Sequence, residues 1–212
     1  MKLLIAIPSL DFMHTEFVKS LVALTNKLSR DGVDYDVRIE SGTLVHIARE
    51  KLAQLATAGG YTDVLWLDSD MVFTEDLLED LQFSGKDFVT GIAHARRKPF
   101  ISCVFKSLIP VERYASPDEY PKETFEIAGC GFACVLIKTD IIRDVRKAHG
   151  TAFLPTQMLG EDLAFCKRAR DIGCKIYAEP AVRLGHIGHI AIYPEDFYRW
   201  KDEVVNIDQF KL

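Results

Sequence analysis

The stretch Val64-Leu-Trp-Leu-Asp-Ser-Asp-Met-Val-Phe73 decides how the rest of the chain reads, because an apolar run ends abruptly in two carboxylates spaced i, i+2. Such a run suits a strand buried on both faces that delivers acid to the edge of a sheet. If the extended backbone continues, Asp68 and Asp70 point to one side and Ser69 to the other. Two carboxylates held that close repel one another unless a cation joins them, and a hard divalent ion, Mg²⁺ or Mn²⁺, suits oxygen donors best. The plainer reading is that the aspartates open the next turn. Thr74, however, already stands as the expected cap before Glu75, Asp76, Leu77 and Leu78, the start of a short helix from Glu75 to Leu81.

Upstream, Leu3 to Pro8 is another nearly continuous apolar run, hence a first buried strand that Pro8 stops. Phe17, Leu21, Leu24 and Leu28 recur at helical spacing before Gly32. Tyr35, Val37 and Ile39 alternate with polar residues as a second strand, and Val45, Ala48, Leu52 and Leu55 mark a second helix before Gly59-Gly60. Strands and helices alternating at this length predict right-handed crossovers and a mostly parallel sheet in an α/β fold. Its ligand crevice lies outside the carboxyl ends of the strands, where Pro8, Glu40 and Asp68 fall.

After a strand at Asp87 to Gly91 the rhythm changes to extended segments, Ile101 to Phe105 and Phe125 to Ile137, so a smaller mixed or antiparallel part is expected. Between them Pro110, Pro117 and Pro121 punctuate a long loop that carries Tyr114 and Tyr120. Gly160-Glu161-Asp162 opens an amphipathic helix that ends at Gly173; acid on a first turn is favourable with the helix dipole and on that ground needs no further role. A strand, Lys175 to Ala178, then leads into Arg183-Leu-Gly-His-Ile-Gly-His189. Gly185 and Gly188 let backbone approach an ion closely, and either His186 or His189 has the chemistry to complete a site begun by Asp68 and Asp70.

The 212 residues suffice for one domain burying about 70% of its unfolded surface. The division expected is one domain over 1–212 with a first half at about 1–91, a second half at about 92–190 and a helical tail at 191–212. Lysine and arginine (26) against aspartate and glutamate (31) give a net charge of −5, which disfavours a footprint along nucleic acid. Arg96, Arg97 and Lys98 form a tight cationic cluster, read as a solvated loop with a phosphate or acidic-acceptor contact as the alternative. Five cysteines without paired C-x-x-C spacing favour buried thiols in a reduced, cytoplasmic setting. No apolar run approaches the roughly 20 residues of a membrane span, so none is expected.

Taken together, the strand-borne D-S-D, the segment G-C-G-F-A-C-V-L-I, the helix G-E-D-L-A-F-C-K-R-A-R-D-I-G and the late H-I-G resemble glycosyltransferases of the GT-A fold over roughly Lys2 to Ile190. The likeness is greatest to small, soluble, family 2-like members of bacteria and phages. It implies a Rossmann-like nucleotide-binding sheet, a Mn²⁺ or Mg²⁺ cofactor, a UDP- or GDP-sugar donor, and a glycan, protein or modified nucleic acid acceptor. The resemblance places the metal on Asp68, Asp70 and His186, with Asp68 also facing the donor ribose. Pro8, Ser9, Asp11, Glu40 and Arg49 match its nucleotide cradle, although Glu50 stands where the family more often has asparagine. Gly129 and Gly131 match the small-residue turn beneath the donor sugar, whose other reading is a bulge. Asp162 would be the general base of an inverting reaction, or a sugar or acceptor contact in a retaining one, and Glu161 would orient acceptor hydroxyls. Two other readings stay open: a nucleotidyltransferase, against which Ile7-Pro-Ser-Leu-Asp11 lacks a glycine-rich basic loop, and a metal-dependent carbohydrate-binding module without turnover.

Overall fold

In the computed structural model, which describes residues 1–188, β1 (Lys2–Pro8) alternates Leu3, Ile5 and Ile7 with Leu4 and Ala6, and both sets are fully buried. The odd set packs against α1 (Thr15–Arg30), whose stripe Phe17, Leu24 and Leu28 faces the sheet. The even set packs against α2 (Val45–Ala58) through Leu52, Ala53 and Ala56. A strand covered on both faces reads as a continuous apolar run for this reason. The same logic holds for β3 (Asp63–Leu67), which lies beside β1, while β2 (Asp34–Glu40) forms the sheet edge and leaves Ile39 half exposed. His189 and the segment 191–212 lie outside the described residues.

Asp68 to Asp70 form a turn, not an extension of β3, and a two-residue strand β4 (Met71–Val72) follows. The next helix, α3 (Leu77–Phe83), starts two residues later than expected and takes Asp76, not Thr74, at its N-terminal boundary, because Glu75 and Asp76 close a turn through the Leu77 N–H to the Thr74 carbonyl. β5 (Phe88–Gly91) matches expectation. The proline-punctuated stretch contains a hairpin, β6 (Val104–Leu108) and β7 (Val111–Arg113), and a 3₁₀ turn at Pro117–Glu119.

The single extended segment expected at Phe125 to Ile137 is three strands: β8 (Phe125–Ile127), β9 (Gly129–Cys130) and β10 (Cys134–Lys138). The break lies at Phe132, whose φ of 55° is left-handed. That conformation costs a non-glycine residue roughly 1–2 kcal/mol. Full burial of a phenyl ring returns about as much or more, and the Phe132 ring packs on Trp66, Phe153 and Phe165 with centroids 6.0, 5.1 and 5.1 Å away.

α4 (Thr139–His149), which the periodicity above did not single out because only Ile142 and Val145 mark its buried face, lies beside α2 and α5 (Glu161–Asp171). β11 (Ile176–Glu179) and β12 (Gly185–His186) complete the described elements. The seven-stranded sheet runs β2-β1-β3-β10-β5-β11-β8, with β10 and β8 antiparallel to the other five. It is therefore a mixed α/β fold with a mostly parallel sheet, α1 and α3 on one face and α2, α4 and α5 on the other. Because β10 runs against its neighbours, the turn that precedes it reaches the same sheet edge as the carboxyl ends of β1, β3 and β5.

Glu50 clasps the segment that leads into α5. One carboxylate oxygen accepts from the Ala152 and Phe153 N–H groups at 2.9 and 2.8 Å and from the Thr151 hydroxyl, and the other meets Arg146. Arg168 holds the same segment through the Ala152 and Leu154 carbonyls. Glu50→Ala strands two backbone donors and frees Arg146, so it should lower unfolding stability by about 2–4 kcal/mol. Urea denaturation with an unchanged m-value checks this; a loss under about 0.5 kcal/mol would make the clasp incidental.

Candidate functional site

β3 ends where Asp68 donates its N–H to the Ala133 carbonyl at 3.0 Å, and the Met71 N–H closes back on the Asp68 carbonyl at 3.2 Å. The turn then hands the chain to β4, which pairs antiparallel with β12 so that His186 lies opposite Met71. The Ile187 N–H to Asp70 carbonyl bond, 2.9 Å, completes this pairing. Gly185 is needed because a Cβ there would sit 3.2 Å from the Val72 Cβ. Sequence-distant Asp70 and His186 thus become neighbours. The turn also means that Asp68 and Asp70 do not share a strand face, as an extended backbone would have required, and they take different partners.

Asp70 faces two basic groups: Arg96 Nη1 lies 2.6 Å from Oδ2, and His186 Nε2 lies 3.4 Å from Oδ1. Burial pushes the Asp70 carboxyl up, but His186 and Arg96 outweigh it and hold it below the usual carboxylate range. The Asp70 hydrogen bond in turn raises the His186 imidazole against its own burial. His186 Nδ1 is committed as a donor to the His94 carbonyl at 2.7 Å, which leaves Nε2 as the end that faces Asp70. The His94 ring lies 3.4 Å from the Tyr120 hydroxyl.

Asp68 turns the other way. Its Oδ1 accepts from Arg49 Nη2 at 2.7 Å, while Arg49 Nη1 donates to Glu161 Oε1 at 2.8 Å. Arg49 is only 2% exposed and its guanidinium lies 5.6 Å from the Phe132 ring centroid. Burial pulls the guanidinium down, but Asp68, Glu161 and Asp162 more than offset it. Asp68 keeps 27% of its side chain exposed, yet desolvation raises its carboxyl in spite of Arg49. Arg49 and Glu161, expected to touch donor and acceptor, are thus occupied with each other. Asp162 lies beside them: Oδ1 accepts the Leu163 N–H at 2.7 Å, and Oδ2 would be 3.8 Å from a Cβ built on Gly131. Burial and the Glu161 charge raise its carboxyl.

A cleft of about 390 Å³ opens over these acids, lined by Pro8, Ser9 and Leu10, by Leu44 and Val45, and by Asp68 to Asp70 with Arg96. Pro8 and Ser9 therefore fall where they were expected. Asp11 is exposed in the same loop and Glu40 pairs with Lys51, and neither lines the cleft. Gly129 is buried behind it, where a Cβ would sit 3.1 Å from both Cys166 and Leu108, so it serves the packing of β9 on α5. A larger cavity, about 470 Å³, lies at the opposite end of the sheet around Lys86, Ile141 and Tyr177, away from every acid described here.

Sequence reasoning missed Arg96 as a partner of Asp70 and His94 as the support of His186. The basic run 96–98 carried the first signal; the second, a backbone carbonyl, has none. Among the described residues no group of three or more His, Cys, Asp or Glu side chains is arranged to hold a metal ion. Asp70 and His186 are brought together, and Asp68 is held apart by Arg49.

No protein-family model matches the chain, and no curated protein matches it. The fold is similar to that in the crystal structure of A197 from STIV, with a TM-score of 0.58 and 21% sequence identity over 89% of this chain and 87% of that one. At that identity the likeness is one of fold alone.

Proposed function

We propose that the protein is a GT-A glycosyltransferase that moves a sugar from a UDP- or GDP-sugar to an acceptor hydroxyl with the help of Mn²⁺ or Mg²⁺. The observation that carries this reading is the convergence of Asp68, Asp70, His186 and Asp162 at one sheet edge, where Asp68 and Asp70 line an open cleft. Five free thiols fit work in the reducing cytoplasm. No helix among the described residues is long and apolar enough to cross a membrane.

The donor set suits a hard divalent ion. His186, oriented through Nδ1, presents Nε2 to the same space as the Asp70 carboxylate, and two protein ligands completed by phosphate oxygens are a common arrangement for such ions. Asp70 and His186 would hold the ion, which when bound neutralises charge on the departing diphosphate.

The remaining work belongs to the chain. Leu10, Leu44 and Val45 offer an apolar wall for the nucleoside, and Asp68, fixed by Arg49, is placed to accept a ribose hydroxyl. Asp162 accepts the acceptor's proton as its oxygen attacks the anomeric carbon, with one oxygen anchored on the Leu163 N–H and the other toward Gly131. Gly131 keeps that approach free of a side chain. Arg49 and Glu161 hold Asp162 beside Asp68 rather than touching substrate.

Release of free sugar and nucleoside diphosphate from a panel of UDP- and GDP-sugars, with and without Mn²⁺, tests the reading; no turnover of any donor together with no metal-dependent nucleotide binding would overturn it. Asp70→Asn should abolish Mn²⁺-dependent nucleotide binding by calorimetry while leaving the circular dichroism spectrum unchanged.

Asp162→Asn should lower transfer by roughly 10²-fold or more with little change in donor binding. Because burial raises the Asp162 carboxyl, transfer should fall on acidification at a pH above the usual carboxylate range. The same shift carries a stability sign. The unfolded carboxyl ionises first, so wild type loses stability relative to Asp162→Asn as pH rises from the unfolded value through the raised folded one. The variant should therefore melt higher at pH 7, and the gap should close in acid. A near wild-type rate, or identical melting at both pH values, would remove Asp162 from the role of base.

A further inference from the structure

Arg96 lines two hollows at once: the cleft over Asp68 and Asp70, and a second cavity of about 240 Å³ shared with His94, Phe100, Leu184, His186 and Gly188. Its backbone is pinned. The Ala95 N–H donates to the Ile101 carbonyl at 2.8 Å, His94 and Ser102 form a β-bridge, and the Phe100 N–H closes on the Arg97 carbonyl at 2.9 Å. Gly188 passes so close that a Cβ there would come within 3.1 Å of the Arg96 carbonyl oxygen. The side chain, by contrast, is half exposed. A half-exposed guanidinium on a fixed stem lies between two spaces large enough to receive it.

That guanidinium occupies one oxygen of Asp70 at 2.6 Å, while the other oxygen faces His186. Asp70 cannot serve two cations equally: a guanidinium and a divalent ion crowded on one carboxylate repel each other, and the ion carries the larger charge. The arginine end of this pair is half exposed, so the guanidinium can leave Asp70 for water without being stranded in the interior. A freed guanidinium in this cleft meets the part of a nucleotide for which its planar fork is best suited, the phosphates.

Building on the metal site proposed above, we infer that Arg96 is a displaceable counter-ion: it neutralises Asp70 in the empty protein, yields that carboxylate to the divalent ion, and then binds the donor diphosphate. The exchange makes nucleotide binding depend on the ion beyond direct coordination. By linkage, the nucleotide strengthens ion binding to the same degree, because a guanidinium held by phosphate no longer competes for Asp70.

Calorimetry with MnCl₂ alone, then with UDP and GDP at saturating Mn²⁺, tests this on wild type, Arg96→Met and Arg96→Lys. Removing the competing charge should tighten Mn²⁺ binding to Arg96→Met by roughly 5- to 10-fold. The diphosphate that wild type prefers should bind this variant at least about tenfold more weakly. Arg96→Lys, which keeps the charge but not the fork, should bind Mn²⁺ as wild type does and the diphosphate less well. Equal Mn²⁺ affinity in wild type and Arg96→Met, or equal diphosphate affinity, overturns this inference and leaves the metal site standing. Absence of Mn²⁺ binding in all three proteins removes the metal site, and the inference falls with it.

Discussion

The Arg49 guanidinium lies between carboxylates contributed by distant parts of the chain, Asp68 after the third strand and Glu161 at the start of α5, and it is itself carried by α2. One buried cation therefore sets the relative positions of three elements. Isolated, each of these charges would be costly to desolvate; together they are tolerated because the fork geometry of arginine satisfies two acids at once. Removing one member of such a group typically costs about 3–5 kcal/mol, since the remaining charges stay buried and unpaired. The Arg49 Nε–H has no partner among the described residues. Hydrogen bonding at this centre is thus incomplete, and placing the two acids takes precedence over saturating every donor.

The charge balance of the cleft explains its further properties. Asp68, Asp70, Glu161 and Asp162 are set against Arg49 and Arg96, so positive charge is short until His186 is protonated or another cation arrives. The raised carboxyls of Asp68 and Asp162 follow first from burial, to which neighbouring acids add, and the raised imidazole of His186 follows from its hydrogen bond to Asp70. Adjacent residues of one helix meet opposite needs. Arg49 serves the acids, and Glu50, one residue on, serves the backbone N–H groups of the segment that enters α5. The α2 pair thereby orients α5 from both ends of its approach.

Much of this was legible from the sequence. The buried runs at Leu3 to Ile7 and Val64 to Leu67, the helical stripe of Phe17, Leu24 and Leu28, and the placing of acid at a strand's carboxyl end all follow from local periodicity, and the structure repeats them. What escaped depends on contacts between distant residues. No periodicity shows that Arg49 is turned inward, because an arginine on a helix reads as a solvated residue until its partners are known. The three-way division of 125–138 turns on Phe132, whose left-handed backbone is favoured only by the aromatic cluster that buries it. The direction of β10 is likewise a property of the assembled sheet. The basic run at 96–98 is exposed, as expected, but Asp70 lies 26 positions from Arg96, so no local pattern shows that the two pair.

The excursion between β5 and β9 has a consequence for how such a chain diversifies. It leaves the central sheet at Gly91 and returns at Phe125, and its hairpin and 3₁₀ turn are fastened by the Ser102 hydroxyl on the Tyr114 carbonyl, by the Thr124 hydroxyl on Glu179, and by Leu108, Tyr114 and Tyr120, which pack on the core. The strand pairings of β1, β3 and β10, and the Arg49 bridge, are made without residues 106–124. The length of that stretch is consequently decoupled from the register of the sheet. The fold behaves as a fixed chassis with an exchangeable faceplate, so grafts from one copy of this architecture to another have a natural pair of seams at Val104 and Ile127, where each new insert must re-form the β6–β9 and β8–β11 pairings and supply the apolar groups that Leu108, Tyr114 and Tyr120 now press on the core.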